Sequence, residues 1–163
     1  GFDPDNKWVL KDVECGKAYK ICVDIRAGKE RMMMSEFVPY EMIYMVGDAT
    51  PAGWSIGDAT PMQATDSPYV FTWQGILNVG ELKLTCDKKE DWNGAWFMPT
   101  VADRQPSGET EPMLFLDKAS DAFKAQYPDV MIGGIDQKWK ITTAGSYKIT
   151  LNQLEETISI VKQ

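Results

Sequence analysis

The chain has 163 residues, of which 44% are hydrophobic, and its formal net charge is −7. This composition is typical of a globular chain with enough apolar residues for one full hydrophobic core. The acidic charge argues against nucleic acid as a partner, because phosphate groups require a basic surface. No stretch approaches the roughly 18 to 20 consecutive apolar residues that a membrane-spanning helix needs.

Histidine does not occur in the sequence. This removes the usual zinc ligand, the commonest general base and the histidine-activated nucleophiles. The three cysteines, Cys15, Cys22 and Cys86, cannot form a complete disulfide framework. Cys22 and Cys86 lie in alternating apolar strands, so we predict that they are buried free thiols. We predict no cofactor.

Residues 1–38 are predicted to form a β segment that resembles the end of a preceding repeat. Trp8 and Tyr19 lie 131 and 128 positions before Trp139 and Tyr147, in similar strand–turn–strand patterns. Self-similarity at this separation indicates a domain-sized repeat, of which the first copy keeps its last strands. The similar stretches are DNKWVL with GKAYKICVD, and DQKWKI with AGSYKITLN; each pair precedes a third apolar run.

A segment of this length cannot hold a core alone. It must therefore pack on the main domain, on a partner chain or on a further domain. Its unpaired strand edges would invite pairing with a second chain. We therefore expect residues 1–38 either to extend the main sandwich or to mediate a dimer.

Residues 39–163 are predicted to form the main domain, an antiparallel β-sandwich. Short alternating strands, separated by turn signals every 8 to 12 residues or so, are typical of this class. Residues 87–94 and 99–112 are predicted loops, and 119–127 is predicted to form one or two helical turns. The predicted strands cover residues 42–46, 69–75, 81–86, 114–115, 136–141, 144–152 and 157–161.

Trp54 follows the first of these strands on a turn rich in glycine and proline. Glycine allows positive φ and proline removes a donor from the ladder, so the strand ends before Trp54. A tryptophan on such a loop either presents a flat apolar surface to a ligand or folds back to cap the core.

The peptide Gly-Asp-Ala-Thr-Pro occurs twice, and its acidic residues are Asp48 and Asp58. Calcium takes oxygen ligands from loops, but no alternating acidic spacing follows either residue. Aspartate after glycine is also ordinary turn chemistry. We therefore predict turns here and no metal site.

Four segments in order resemble the SusE/SusF-type surface starch-binding lipoproteins of Bacteroides-like bacteria: IYMVGDATPAGWSIGDATPM, YVFTWQGILNVGELKL, DWNGAWFMPT and KWKITTAGSYKITLN. The resemblance covers about residues 40–163. It implies an Ig-like sandwich that binds starch, maltooligosaccharide or another polysaccharide without catalysis. It also implies a place at the outer-membrane cell surface, with a lipid anchor upstream of residue 1 and partners in a glycan-uptake complex.

The order of the segments also resembles the glycogen-binding modules, in which two tryptophans stack on glucose rings and a lysine binds hydroxyl groups. Carried over by position, these are Trp54, Trp92 and Lys83, with Trp96 as a rival for the second platform. If Leu82 and Leu84 are core residues, Lys83 points outward beside the Trp54 loop.

The chemistry of these loops fits a sugar independently of the resemblance. Aromatic planes bind the apolar face of a sugar ring, and charged or amide groups bind its hydroxyl rim. Asn93 and Arg104 supply further polar groups on neighbouring loops. By contrast, Trp8, Trp73 and Trp139 lie inside strand patterns and are predicted core residues.

Two other classes of function stay open. A glycosidase would need two carboxylates about 5 to 10 Å apart, and no motif pairs the candidates, which are Asp48, Asp58, Asp91 and Asp103. The other class is a structural or adhesive surface domain without a sugar site.

Overall fold

The computed structural model describes residues 14–163, so the predicted first strand and Trp8 lie outside the described residues. The chain divides into two compact units, with the boundary between Val38 and Pro39. The elements are β1 (Ala18–Asp24), β2 (Arg31–Phe37), β3 (Tyr44–Val46), β4 (Thr60–Pro61), β5 (Gln63–Ala64), β6 (Val70–Leu77), β7 (Gly80–Thr85), β8 (Ala95–Pro99), β9 (Thr110–Asp117), α1 (Asp121–Gln126), a 3₁₀ helix (Ile132–Gly134), β10 (Trp139–Ile141), β11 (Gly145–Asn152) and β12 (Thr157–Lys162).

The first unit contains a hairpin in which β1 and β2 pair antiparallel over their full length. Cys22, in β1, is half-buried, which corrects the prediction of a buried thiol: a two-stranded sheet offers less cover than a sandwich. Cys86, in the second unit, is buried as predicted, and all three cysteines are free.

The second unit is an antiparallel β-sandwich, which confirms the predicted fold class. Its strands follow the order β4-β3-β7-β8-β9-β12-β11-β6-β5, with β10 beside β7. Strand β9 links the two layers, because Met113–Asp117 pair with β8 and Thr110–Pro112 pair with β12. The main core lies between the layers and includes Met45, Phe71, Leu82, Leu84, Phe97, Trp139, Ile149, Leu151 and Ile158.

A second apolar cluster covers the outer face of the β3-β7-β8 layer. Its buried members are Val46, Ile56, Ala59, Trp96, Met98, Leu116 and Ile132. Side chains alternate along a strand, so Leu82 and Leu84 face the main core while Lys83 and Thr85 face this outer cluster. All four are buried. The candidate functional site lies on this outer face, where Lys83 lines a cleft.

The predicted strands omit β8, and they place the start of β9 too late. Trp96 lies in β8, whose five residues are all buried, so the stretch reads as a continuous apolar run without alternation. The predicted loop 99–112 ends early, because β9 begins at Thr110. The predicted helical turns at 119–127 are confirmed by α1.

Among the described residues, no helix is both long enough and apolar enough to cross a membrane.

Candidate functional site

An open cleft of about 420 Å³ lies on the outer face of the β3-β7-β8 layer. The structure here brings together three of the predicted site residues, Trp54, Lys83 and Trp92. We call this the tryptophan cleft, and its lining residues are Trp54, Glu81, Lys83, Trp92, Asp136 and Lys138.

Trp54 is presented by a loop that is closed on itself immediately before the tryptophan. The amide of Gly47 donates to the carbonyl of Gly53 at 2.8 Å, and the amide and hydroxyl of Thr50 both donate to the Gly47 carbonyl. Gly47 has φ +127°, and a Cβ there would clash with the carbonyl of Glu81 in β7. This close approach requires glycine. The loop is therefore anchored to the sheet, and Trp54 keeps 38% of its surface exposed.

Trp92 occupies a backbone conformation that is rare for a bulky residue, with φ +62°. Its amide donates to the carbonyl of Lys89 at 2.9 Å, and its carbonyl accepts from the indole of Trp96 at 3.2 Å. Strain of this kind persists where the surroundings over-determine it, as at ligand-binding sites. The ring centroids of Trp54 and Trp92 are 6.1 Å apart, and the ring planes are inclined by 52°.

Trp96 is fully buried, which corrects the prediction that it could be the second stacking platform. Its indole lies against Trp92 with ring centroids 5.7 Å apart and planes 5° from parallel. Trp96 therefore supports Trp92 from beneath and offers no free face to a ligand.

Lys83 points to the outer face, as predicted, but it is covered and only 3% exposed. Its ammonium group donates to the Asp136 carboxylate at 2.6 Å and lies 3.8 Å from the centroid of the Trp96 ring. We therefore correct the expectation that it stands free to bind sugar hydroxyls, because its ammonium already has two partners.

The side chains around the tryptophan cleft contact one another in a closed ring. Lys138 donates to the second oxygen of Asp136 at 2.9 Å. The same ammonium lies 5.8 Å from the centroid of the Trp54 ring. The stacked indoles of Trp92 and Trp96, the inclined indole of Trp54, and the charged groups of Lys83, Asp136 and Lys138 thus hold one another in place.

Burial and hydrogen bonds shift the pKa values of two residues at the cleft, Lys83 and Asp136. Burial lowers the pKa of Lys83 below its usual value, against the opposing effect of its bond to Asp136. Partial burial alone would raise the pKa of Asp136. The hydrogen bonds from Lys83 and Lys138 outweigh that effect and lower the pKa of Asp136 to about 2. Asp136 is therefore a carboxylate at any physiological pH.

Besides the buried Trp96, two further predicted site residues, Asn93 and Arg104, do not line the cleft. Asn93 is exposed and follows Trp92 in the chain, and its backbone amide donates to the Asp91 carboxylate. Arg104 binds Glu111 at 2.8 and 3.1 Å, and Glu111 also accepts from the indole of the core residue Trp139 at 3.1 Å. Arg104 thus belongs to a network that reaches the main core.

Sequence reasoning missed Glu81, Asp136 and Lys138. Because Trp139 is a predicted core residue, alternation along its strand places Lys138 on the opposite, outer side. The sequence could therefore have predicted that Lys138 faces the same side as Lys83. The pairing of Trp139 with Leu82, which brings β10 beside β7, had no counterpart in the sequence pattern.

The aspartates considered for a metal or for catalysis have local structural roles. Asp48 accepts from the amide of Glu81, Asp58 from the hydroxyl of Ser55, and Asp91 from the amide of Asn93. Asp103 lies in a turn with φ +54°. Within residues 14–163, no group of three or more potential metal-ligating side chains comes together.

The chain matches no protein-family model, no curated protein and no solved structure.

Proposed function

We propose that this protein binds a glycan in the tryptophan cleft without chemically changing it. The observation that carries the proposal is the pair formed by Trp54 and Trp92, held on anchored loops beside a cluster of charged groups. Indole rings bind the apolar C–H faces of sugars, and charged groups at the margin can bind hydroxyls.

The inclination of the two rings favours a curved glycan. Planes inclined by 52° do not form one flat platform, so sugar rings stacked on both indoles would also be inclined to each other. Consecutive residues of an α-linked glucan such as starch turn in this way, whereas those of a straight β-linked ribbon stay nearly coplanar. The geometry thus supports starch-type chains as the first ligands to test.

The state of Asp136 supports a binding role over a glycosidase. A carboxylic acid that protonates a leaving group needs a raised pKa, whereas the pKa of Asp136 is lowered to about 2. Its two oxygens are also occupied by Lys83 and Lys138. The outer-membrane location, the lipid anchor and the glycan-uptake partners stay predictions from the sequence resemblance.

Native gels loaded with amylopectin, or with a straight β-glucan, test the proposal. We expect retardation by amylopectin, and no released oligosaccharides in the same lanes. Trp54→Ala and Trp92→Ala should each weaken binding by about 1 to 3 kcal/mol, the range for loss of an aromatic stacking platform. Tyr127→Ala is the matched control, because Tyr127 is comparably exposed but does not line the cleft.

The rival classes give different results in this experiment. A structural or adhesive domain would show no retardation in any glycan, and a glycosidase would release products. Tryptophan variants that lose thermal stability but keep their affinity would assign these side chains a structural role and refute the proposal.

A further inference from the structure

The hairpin of the first unit matches the last hairpin of the sandwich pair by pair. Tyr19 lies opposite Glu36, Ile21 opposite Met34, and Val23 opposite Met32. The corresponding pairs in β11 and β12 are Tyr147 with Lys162, Ile149 with Ile160, and Leu151 with Ile158. The sequence similarity of the two stretches is therefore also a similarity of strand register.

The two hairpins differ in what covers the matching face. Ile149 and Leu151 face the main core and are 0% exposed. Their counterparts Ile21 and Val23 are 56% and 52% exposed. The first hairpin thus carries the side chains of a core-facing strand pair, but Ile21 and Val23 are largely exposed to solvent.

The tyrosines show a further parallel. The hydroxyl of Tyr147 donates to the carbonyl of Thr143 at 2.7 Å, a contact to the preceding chain that recurs in Greek-key sandwiches as the tyrosine corner. The hydroxyl of Tyr19 accepts from the amide of Glu14 at 2.8 Å. In both hairpins, the tyrosine fastens its strand to the chain that enters it.

We propose that the face formed by Tyr19, Ile21, Val23, Met32 and Met34 is the core face of a second β-sandwich. The partner is a sandwich of the same architecture that lacks its own last two strands, and this hairpin supplies them. The match in register identifies this occupant, because the equivalent face in β11 and β12 is covered by such a core.

A graft within the full chain tests the fit. Residues 147–151 are replaced by Tyr-Lys-Ile-Cys-Val from 19–23, and residues 158–162 by Met-Met-Met-Ser-Glu from 32–36. The native turn is kept, because Gln153 is buried and binds Tyr40 and Pro68. We expect cooperative unfolding and a melting temperature lowered by about 5 to 15 °C, as for several conservative core substitutions.

The control graft uses residues 18–22 and 33–37 at the same two places. A slip of one residue turns every side chain to the other face, so Lys20 and Ser35 would enter the core. This variant should lose its cooperative transition. Failure of both grafts, or equal stability of both, would overturn the proposal.

A second measurement tests whether the face is open in this chain. Ile21→Lys/Val23→Lys should change neither the melting temperature of the sandwich nor the molar mass in light scattering. Ile149→Lys/Leu151→Lys should unfold the sandwich. If Ile21→Lys/Val23→Lys lowered the melting temperature or the molar mass, the face would belong to this sandwich or to a second copy, and the proposal would fail.

Discussion

The ammonium group of Lys83 lies 3.8 Å from the centroid of the Trp96 ring, and both residues are buried. A cation over an indole face gains about 0.5 to 2 kcal/mol, with the larger values in desolvated sites. Trp96 also affects the tryptophan cleft, because its ring is stacked on Trp92, which lines the cleft. The half-buried Trp92 is therefore connected through Trp96 to the buried ammonium group of Lys83.

Substitution at the two ends of this ion pair should have unequal effects. Asp136→Asn leaves a buried ammonium with a weaker acceptor, and we expect a loss of about 1 to 3 kcal/mol of unfolding free energy. The lower end applies because the Asp136 side chain is 53% exposed. Lys83→Met should cost less than about 1 kcal/mol, since it removes the buried charge while Asp136 keeps Lys138.

Urea unfolding of both variants measures this asymmetry. The double variant Lys83→Met/Asp136→Asn should recover most of the loss seen in Asp136→Asn, because no buried charge is then left without its partner. Equal losses in the two single variants, or the reverse order, would contradict this account of the pair.

Acid should remove the contribution of Asp136 over a defined range of pH. The pKa of this carboxyl is about 2 in the folded chain and about 3.9 in an unfolded one. Its ionised form therefore stabilises the fold above about pH 4, and the effect is lost as the pH falls toward 2. The stability difference between the natural chain and Asp136→Asn should disappear over this range in thermal unfolding, and a constant difference would argue against the ion pair.

Trp92 allows backbone strain to be separated from binding. The backbone of Trp92 has φ +62°, which is disfavoured for a bulky residue but readily adopted by glycine. Trp92→Gly should therefore be more stable than Trp92→Ala by about 0.5 to 1 kcal/mol. Both should lose the same glycan affinity, measured by calorimetry, because both lack the indole. Equal stability of the two variants would indicate that the strain is relieved by another route.

Alternation and turn chemistry were enough to predict the sandwich and the loop position of Trp54. They failed where a strand is covered on both faces, because β8 and β7 then lack an exposed polar face that marks the pattern. This is why the sequence pattern predicts a stacking platform at Trp96 and an outward-pointing Lys83, although both side chains are buried.

The charged part of the cleft depends on contacts between residues distant in sequence. Lys83 and Asp136 are 53 positions apart and meet because β10 pairs with β7. Strand pairing of this kind is decided by the packing of the whole sheet. The sequence alone therefore indicates that residue types suited to sugar binding are present, but it does not predict which of these side chains contact one another in the fold.

Arg104 gives the sharpest test of that difference, because sequence reasoning placed it in the site and the structure places it against Glu111. The carboxylate of Glu111 is largely buried and also accepts from Trp139. Arg104→Ala should therefore lower the unfolding free energy by about 1 to 3 kcal/mol and leave amylopectin retardation unchanged. Arg104→Lys, which keeps the charge, should lose less. Weaker retardation with unchanged stability would instead assign Arg104 to the proposed glycan site.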